Sequence, residues 1–395
     1  MGIVIPQVVT SDRASGAQVI DGSLKFEASK TQYLNRTFGS GNRKTWTFSS
    51  WVKKSSFGAG KRGLFGYDST NDHIRLQNND DGGDSIRIVA PSVFDYILSR
   101  KDRDTGWFHL VVACDTTDGT AGDRVKIYHN GVRQTDFYSS SNPSLNADTG
   151  FNQAAAHSLG RGGTGGDTAY VDASLSNVYW IDGLALGPES FGYTDPLTNT
   201  WRPKKYTGTF TGTNTFYLPM DGNSPIGQDK SGNGNNWTAV NFSGTSIDPD
   251  VLKDSPSGAV SGGRAQTGIT TTSSAPSNYA TLNPLQMSPN RTPTISDGNL
   301  SISLSSGTSE WTNTGCTMNI GSGKYYWEVQ FTTINGTIAR IGVADSNNYE
   351  FNRNTASSGL PWLGSGTGVS WSLDVGGNTY YNGSTVNASY TSTII

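Results

Sequence analysis

The sequence predicts an all-β chain of tandem antiparallel β-sandwiches. Three observations carry this. Over 395 residues the composition is poor in charge (15%) and rich in Gly (49) and aromatic residues (11%). Small polar residues interleaved with Trp, Tyr, Phe, Val and Ile suit short strands and tight turns rather than amphipathic helices. Apolar residues also recur with period two: Trp46, Phe48 and Val52 alternate with Thr47, Ser49 and Trp51, the pattern of a half-buried strand. Finally, turn residues punctuate these runs at short intervals, as in His129-Asn130-Gly131, where an Asn-Gly pair follows a strand pattern over Val125–Tyr128.

Residues 1–22 read as an extended N-terminal attachment arm, because Ile3, Val4, Ile5, Val8 and Val9 need something to pack against. That can be this molecule's own sandwich or a neighbouring subunit. Residues 23–206 read as the first sandwich. Within it Phe108, Leu110 and Val112 alternate with Trp107, His109 and Val111, so both faces are apolar and the strand is expected in the middle of a sheet. Residues 207–294 read as a Gly/Ser/Thr-rich connector that supplies a stray strand, with Asp254–Ser277 as its flexible linker. Residues 295–395 read as a second sandwich. Tyr325, Trp327, Val329 and Phe331 form one strand face there, followed by strands over Val369–Gly383.

The segments SLKFEASKTQYLNRTF (23–38), WTFSSWVKK (46–54), WFHLVVACDTT (107–117), VKIYHNGVR (125–133), LGRGG (159–163) and YVDASLSNVYWIDGLALGPESFG (170–192) resemble the laminin-G-like, concanavalin A-type jelly roll. The stretches GKYYWEVQFTTINGTIARIGVAD (323–345) and VSWSLDVGGNTYYNG (369–383) resemble SPRY domains, which bind partners through loops. The strand pair that usually follows the YYNG turn is missing, so that sandwich is expected to be partial at Ile395. The series WRPKKYTGT (201–209), DKSGNGNNWT (229–238), NYATLNPL (278–285) and SGKYYWE (322–328) resembles tail-fibre and related virion proteins of marine bacteriophages. That resemblance implies a virion structural protein, most simply a homotrimeric tail fibre, that contacts other tail or capsid proteins and recognises a host-surface glycan or protein. The alternatives it leaves are a capsid or tail decoration protein without receptor binding, and a polysaccharide depolymerase.

Jelly rolls also serve glucanases, whose retaining members need two carboxyls about 5–5.5 Å apart. None of Glu27, Glu189, Glu310, Glu328 or Glu350 has a carboxylate on an alternate residue of its strand, so no catalysis is expected. The four His (73, 109, 129, 157) lack zinc-ligand spacing, and His109 reads as a packed sheet residue. Asp221, Asp229, Asn233 and Asn235 offer hard oxygen donors in a Gly-rich loop, as Ca²⁺ requires. The same residues also stabilise turns by themselves. Tyr67, Tyr96, Tyr138, Trp362 and Tyr381 sit beside turn residues as candidate sugar-stacking aromatics, and nothing in the sequence singles one out as ligand-binding. Cys114 and Cys316 lie in different halves and read as buried free thiols. A net charge of −3 gives no general attraction for nucleic acid or anionic membranes. No apolar run approaches the ~20 residues of a membrane span, and the N-terminus lacks the basic and long apolar regions of a signal peptide.

Overall fold

The computed structural model describes residues 18–257 except 19, 58–59, 68–71, 78–82, 163–168, 197–198 and 245–248. Beyond 257 it describes 280–287, 293–303, 314–317, 327, 329, 331, 340–344, 370–374, 378–381 and 384–387. The chain divides into two compact units, Met1–Ala280 and Thr281–Ile395.

In the first unit the strands are β1 (Ser23–Phe26), β2 (Tyr33–Thr37), β3 (Thr45–Lys54), β4 (Arg62–Tyr67), β5 (His73–Gln77) and β6 (Ser85–Ala90). They continue as β7 (Phe94–Lys101), β8 (Phe108–Asp115), β9 (Val125–His129), β10 (Val132–Arg133), β11 (Phe137–Ser141) and β12 (Ala156–Leu159). The last six are β13 (Ala173–Asp182), β14 (Gly192–Asp195), β15 (Thr200–Pro203), β16 (Phe216–Leu218), β17 (Thr238–Val240) and β18 (Val251–Leu252). Two antiparallel sheets result. The first runs β10-β9-β8-β3-β13-β1-β18 with β16 also on β13, and the second runs β11-β7-β6-β5-β4-β12-β2-β17.

Between them lies the core foreseen from the alternation. Trp46, Phe48, Val52, Leu110, Val112, Leu175 and Trp180 of the first sheet meet Leu34, Phe65, Ile74, Ile88, Phe94 and Leu98 of the second. Trp46 stacks on Trp180 at 4.9 Å between centroids, an offset pair that adds to plain area burial. β8 is interior, as its two apolar faces require. The Asn130-Gly131 turn between β9 and β10 has both residues at positive φ, 48° and 78°, as a type I′ hairpin demands.

One sheet is covered on both sides. Val111, Tyr179 and Ile181 face away from the main core and pack under Phe191 and Tyr206. Tyr217 stacks on Tyr179 at 4.3 Å. The WRPKK run is part of this cover: β15 pairs with β14, and Trp201 lies over His109.

The first sandwich does not end at 206. β16, β17 and β18 from the expected connector pair with β13, β2 and β1 respectively. Trp237 is buried in the core, and Asp254, at the start of the expected linker, is buried in an ion pair with Lys53 at 2.9 Å. Isolated short strands in Gly/Ser-rich sequence lack a long apolar period, but a sheet edge supplies their backbone partners. The rest of the expected linker, 258–277, lies outside the described residues. In the arm, Ile20 is buried and Gln18 bonds Tyr217 and Asn177, so this end packs on the chain's own sandwich. Residues 1–17 lie outside the described residues.

The second unit contains the hairpin β20 (Thr294–Ser296) and β21 (Ser301–Ser303), and the pair β19 (Leu282–Met287) and β22 (Thr314–Cys316). A four-stranded sheet runs β23 (Arg340–Ala344), β24 (Ser370–Asp374), β25 (Thr379–Tyr381), β26 (Ser384–Asn387). β26 pairs back on β25 directly after the YYNG turn. The expected strand over 325–331 is not found where it can be read: Trp327, Val329 and Phe331 are outside any strand, and the first two are 52% and 51% exposed.

Candidate functional site

A groove of about 580 Å³ opens on the outward face of the second sheet. Its floor follows from period two. In β5 and β6, Ile74, Leu76, Ile86, Ile88 and Ala90 turn to the core, so His73, Arg75, Arg87 and Val89 point outward. In β7, Phe94, Tyr96 and Leu98 are core and Asp95 is outward. The register sets His73 beside Val89, Val89 beside Asp95 and Asp95 beside Ser141. Arg75 lies directly opposite Arg87. Lys61 and the Pro91-Ser92-Val93 turn add to the walls, with Ser141, Asn142 and Ser144 at one side.

Asp95 sits diagonally from Arg87 and receives it bidentately, from Nε at 2.9 Å and from Nη2 at 2.7 Å. Such a fork fixes both planes. The Tyr96 hydroxyl donates to Asn142 Oδ1 and so orients that amide from beneath. Burial pushes the Tyr96 phenol up to about 12, so it remains a donor. His73 and Arg75 are buried at the floor, whereas Ser141, Asn142 and Ser144 are exposed. The groove thus presents hydrogen-bonding groups and fixed charge on a rigid sheet. Among the described residues Asp95 is its one carboxylate.

The four residues considered for calcium are differently disposed. Asp229 accepts from Tyr217 N (2.9 Å), Ser231 N (2.8 Å), Ser231 Oγ (2.8 Å) and Asn235 N (2.8 Å). Asn233 Nδ2 donates to the Phe210 and Thr215 carbonyls, and Asn235 Nδ2 donates to those of Thr213 and Thr215. The Arg36 guanidinium donates to Asn235 Oδ1, with its pKa lowered by burial and partly restored by Asp229. Asp221 instead accepts from Asn223 on its own turn. Asp229, Asn233 and Asn235 therefore tie a loop to its own backbone, and a cation would have to displace the donors on Asp229. Among the described residues no group of three or more His, Cys, Asp or Glu could hold a metal ion. Asp229→Ala is expected to cost about 2 kcal/mol in urea unfolding, since three backbone amides lose their acceptor. A change below about 0.5 kcal/mol, the usual surface background, would contradict this role.

The candidate stacking aromatics separate. Tyr67 and Tyr96 are buried in β4 and β7 rather than placed in loops, Tyr138 is 61% exposed on β11, and Tyr381 packs on Trp371 at 4.4 Å. Trp362 lies outside the described residues, as do Glu310, Glu328 and Glu350. Glu27 is buried against Lys25 at 3.2 Å. His109 is held between Trp201 Nε1, which donates to its Nδ1 at 3.0 Å, and Ser49 Oγ, 2.8 Å from its Nε2. Nε2 must then carry the proton and donate, so the imidazole cannot take a proton from Ser49. Cys114 is buried and Cys316 is exposed, contrary to the expectation of two buried thiols; among the described residues the strand of Cys316 pairs with β19 alone. No helix among the described residues is long and apolar enough to cross a membrane.

The jelly-roll topology has a counterpart in sequence. Residues 21–189 match Laminin_G_3, the concanavalin A-like lectin/glucanases superfamily. Three solved structures show partial similarity to this chain. A candidate carbohydrate-binding protein of Bacteroides ovatus is 16% identical at a TM-score of 0.39, with 56% of this chain and 58% of that one covered. The heptameric SAP-like pentraxin of Limulus polyphemus is 15% identical at 0.29, over 43% and 79%. Domains LG4-5 of the mouse laminin alpha1 chain are 14% identical at 0.28, over 49% and 47%. No curated protein matches the sequence.

The groove escaped the sequence reading, although its signal was present. HIRLQ, SIRIVA and FDYILS each alternate an apolar face with a charged one. Charge placed on three successive strands marks a face that is either solvated or ligand-facing.

Proposed function

We propose that this chain is a bacteriophage virion protein, a tail fibre that joins the particle and recognises a host-surface glycan through the groove of its concanavalin A-like domain. The observation that carries the glycan reading is the polar groove held on β5, β6 and β7, on the outward face of the second sheet. The lectin-type domain supports it, and the phage-like segments from 201 to 328 support the virion setting. One carboxylate, already engaged by Arg87, supports binding without cleavage. The copies would assemble as a trimer on other tail proteins.

Locating the chain in purified particles, together with an adsorption assay, tests this reading. The double variant Arg87→Ala/Asp95→Ala removes both partners of the ion pair and leaves no orphaned charge. It is expected to weaken attachment to host cells at least about tenfold, the loss of one or two good polar contacts. Normal adsorption by that variant would favour a purely structural role in capsid or tail. Release of oligosaccharides from host polysaccharide would favour a depolymerase. Absence of the chain from particles would remove the virion role.

A further inference from the structure

We propose that the saccharide this groove takes is acidic, bearing carboxylate or sulfate groups; this rests on the glycan reading of the groove. Among the described lining residues, three cationic side chains, Lys61, Arg75 and Arg87, face one carboxylate, Asp95. The whole chain has the opposite sign, with a net charge of −3. The concentration of cations here is therefore local and not a reflection of overall composition. The register adds to this: Arg75 and Arg87 stand directly opposite on neighbouring strands. Asp95 offsets one of these charges through Arg87, and an anion lying across both strands would add to that compensation.

The apolar part of the lining points the same way. Neutral sugars are held largely by stacking their C–H faces on exposed aromatic rings. Among the described residues the groove has one aromatic residue, Phe94, which is buried with its ring in the core. Val89, Pro91 and Val93 complete the apolar lining and offer no flat face. Recognition here has to come from hydrogen bonds and charge. Guanidinium groups match carboxylate and sulfate oxygens with paired donors. Arg87 demonstrates that geometry with Asp95, and Asp95 fixes its plane.

The test uses the full chain and four immobilised polymers. Polygalacturonate and dextran sulfate are the acidic probes, and carboxyl-reduced polygalacturonate and dextran are their neutral counterparts. Either acidic polymer is expected to bind at least about tenfold more tightly than its neutral counterpart, and the gap should shrink as salt rises. Comparing the two acids distinguishes carboxylate from sulfate. Lys61→Gln is expected to lower acidic-polymer affinity about tenfold. Lys126→Gln, on β9 of the other sheet, should change it less than about twofold, which separates groove binding from attraction to any surface cation. Equal binding of neutral and acidic polymers, weakened by Arg87→Ala/Asp95→Ala, would overturn the acidic class and leave the glycan site standing. Equal losses in Lys61→Gln and Lys126→Gln would overturn the groove as the acid's site. Retention of no polymer, together with no retention of host envelope polysaccharide, would remove the underlying reading as well. If host polysaccharide alone is retained, and remains so after carboxyl reduction and desulfation, only the acidic class falls.

Discussion

Asp182→Ala is expected to destabilise the first unit by about 3–5 kcal/mol, the cost of stripping a buried carboxylate from its donors. Asp182 ends β13 and is almost fully buried. Its Oδ1 accepts from Asn42 N at 2.8 Å and from Asn152 Nδ2 at 2.6 Å, and its Oδ2 accepts from Asn214 N at 3.1 Å. Asn152 Oδ1 in turn accepts from Trp180 Nε1 at 3.3 Å and Asn214 Nδ2 at 2.8 Å. Three loops that enter this end of the sandwich, around residues 42, 152 and 214, are thus held by one carboxylate and one amide. Removing the carboxylate takes the acceptor from two backbone N–H groups and from one hydrogen of the Asn152 amide, whose other hydrogen keeps the Asn42 carbonyl. For a unit of this size that corresponds to a melting temperature lower by about 10 °C. Tryptophan fluorescence during urea unfolding reads it directly, because Trp180 and Trp46 lie in the affected core. Asp221→Ala, on an exposed turn, should stay within about 0.5 kcal/mol of the parent. A loss below about 1 kcal/mol for Asp182→Ala would mean that the network does not hold the loops together.

That network also illustrates what the sequence could and could not convey. The strands were legible because their signal is local: Trp46, Phe48 and Val52 announce β3, and Asn130-Gly131 announces a turn, within a few residues of chain. Asp182, Asn152 and Asn214 come from distant positions, and each alone reads as an ordinary turn residue. Their meeting depends on how three loops are brought to one end of two sheets. Of the strands β16, β17 and β18 the sequence conveyed only one stray strand, for a related reason. Three residues of Phe-Tyr-Leu or two of Val-Leu have no period of their own, and the edges of β13, β2 and β1 decide their conformation. The groove was half legible, since alternation places Arg75, Arg87 and Asp95 on outward positions. It takes the observed register to set Arg75 opposite Arg87, and Asp95 one diagonal step away. For calcium, the sequence conveys residue type and not side-chain direction. Residue type makes Asp229 and Asn235 plausible ligands, but their polar atoms are spent on Tyr217, Ser231, Thr213 and Thr215.

Acidification from pH 7.5 to pH 5 is expected to remove about 4 kcal/mol of stability through two buried histidines. Burial lowers His109 to about 3 and His157 to about 4, from an ordinary 6.5. For His109 the proximity of His129 adds to burial. For His157 a bond to the Ala155 carbonyl opposes burial without overcoming it, and the ring lies stacked on Phe38 at 4.0 Å. In the unfolded chain both imidazoles bind a proton as pH falls through about 6.5, whereas in the fold they remain neutral down to their lowered values. The unfolded state therefore holds more protons throughout that window, and stability rises with pH across it. The contribution is complete above pH 6.5 and is lost progressively towards pH 4 for His157 and pH 3 for His109. At about 1.36 kcal/mol per pH unit, each group gives up roughly 2 kcal/mol by pH 5. Carboxylates with ordinary values titrate mainly below this range, so the upper part of the slope reports imidazoles. Melting temperature measured at half-unit steps should fall steadily below pH 6.5. His157→Phe preserves the stacked ring and removes one titrating group, so its slope between pH 6.5 and pH 5 should be shallower by about one proton's worth. A flat profile from pH 7.5 to pH 5, or an unchanged slope in His157→Phe, would show that these rings take up protons without unfolding the sandwich.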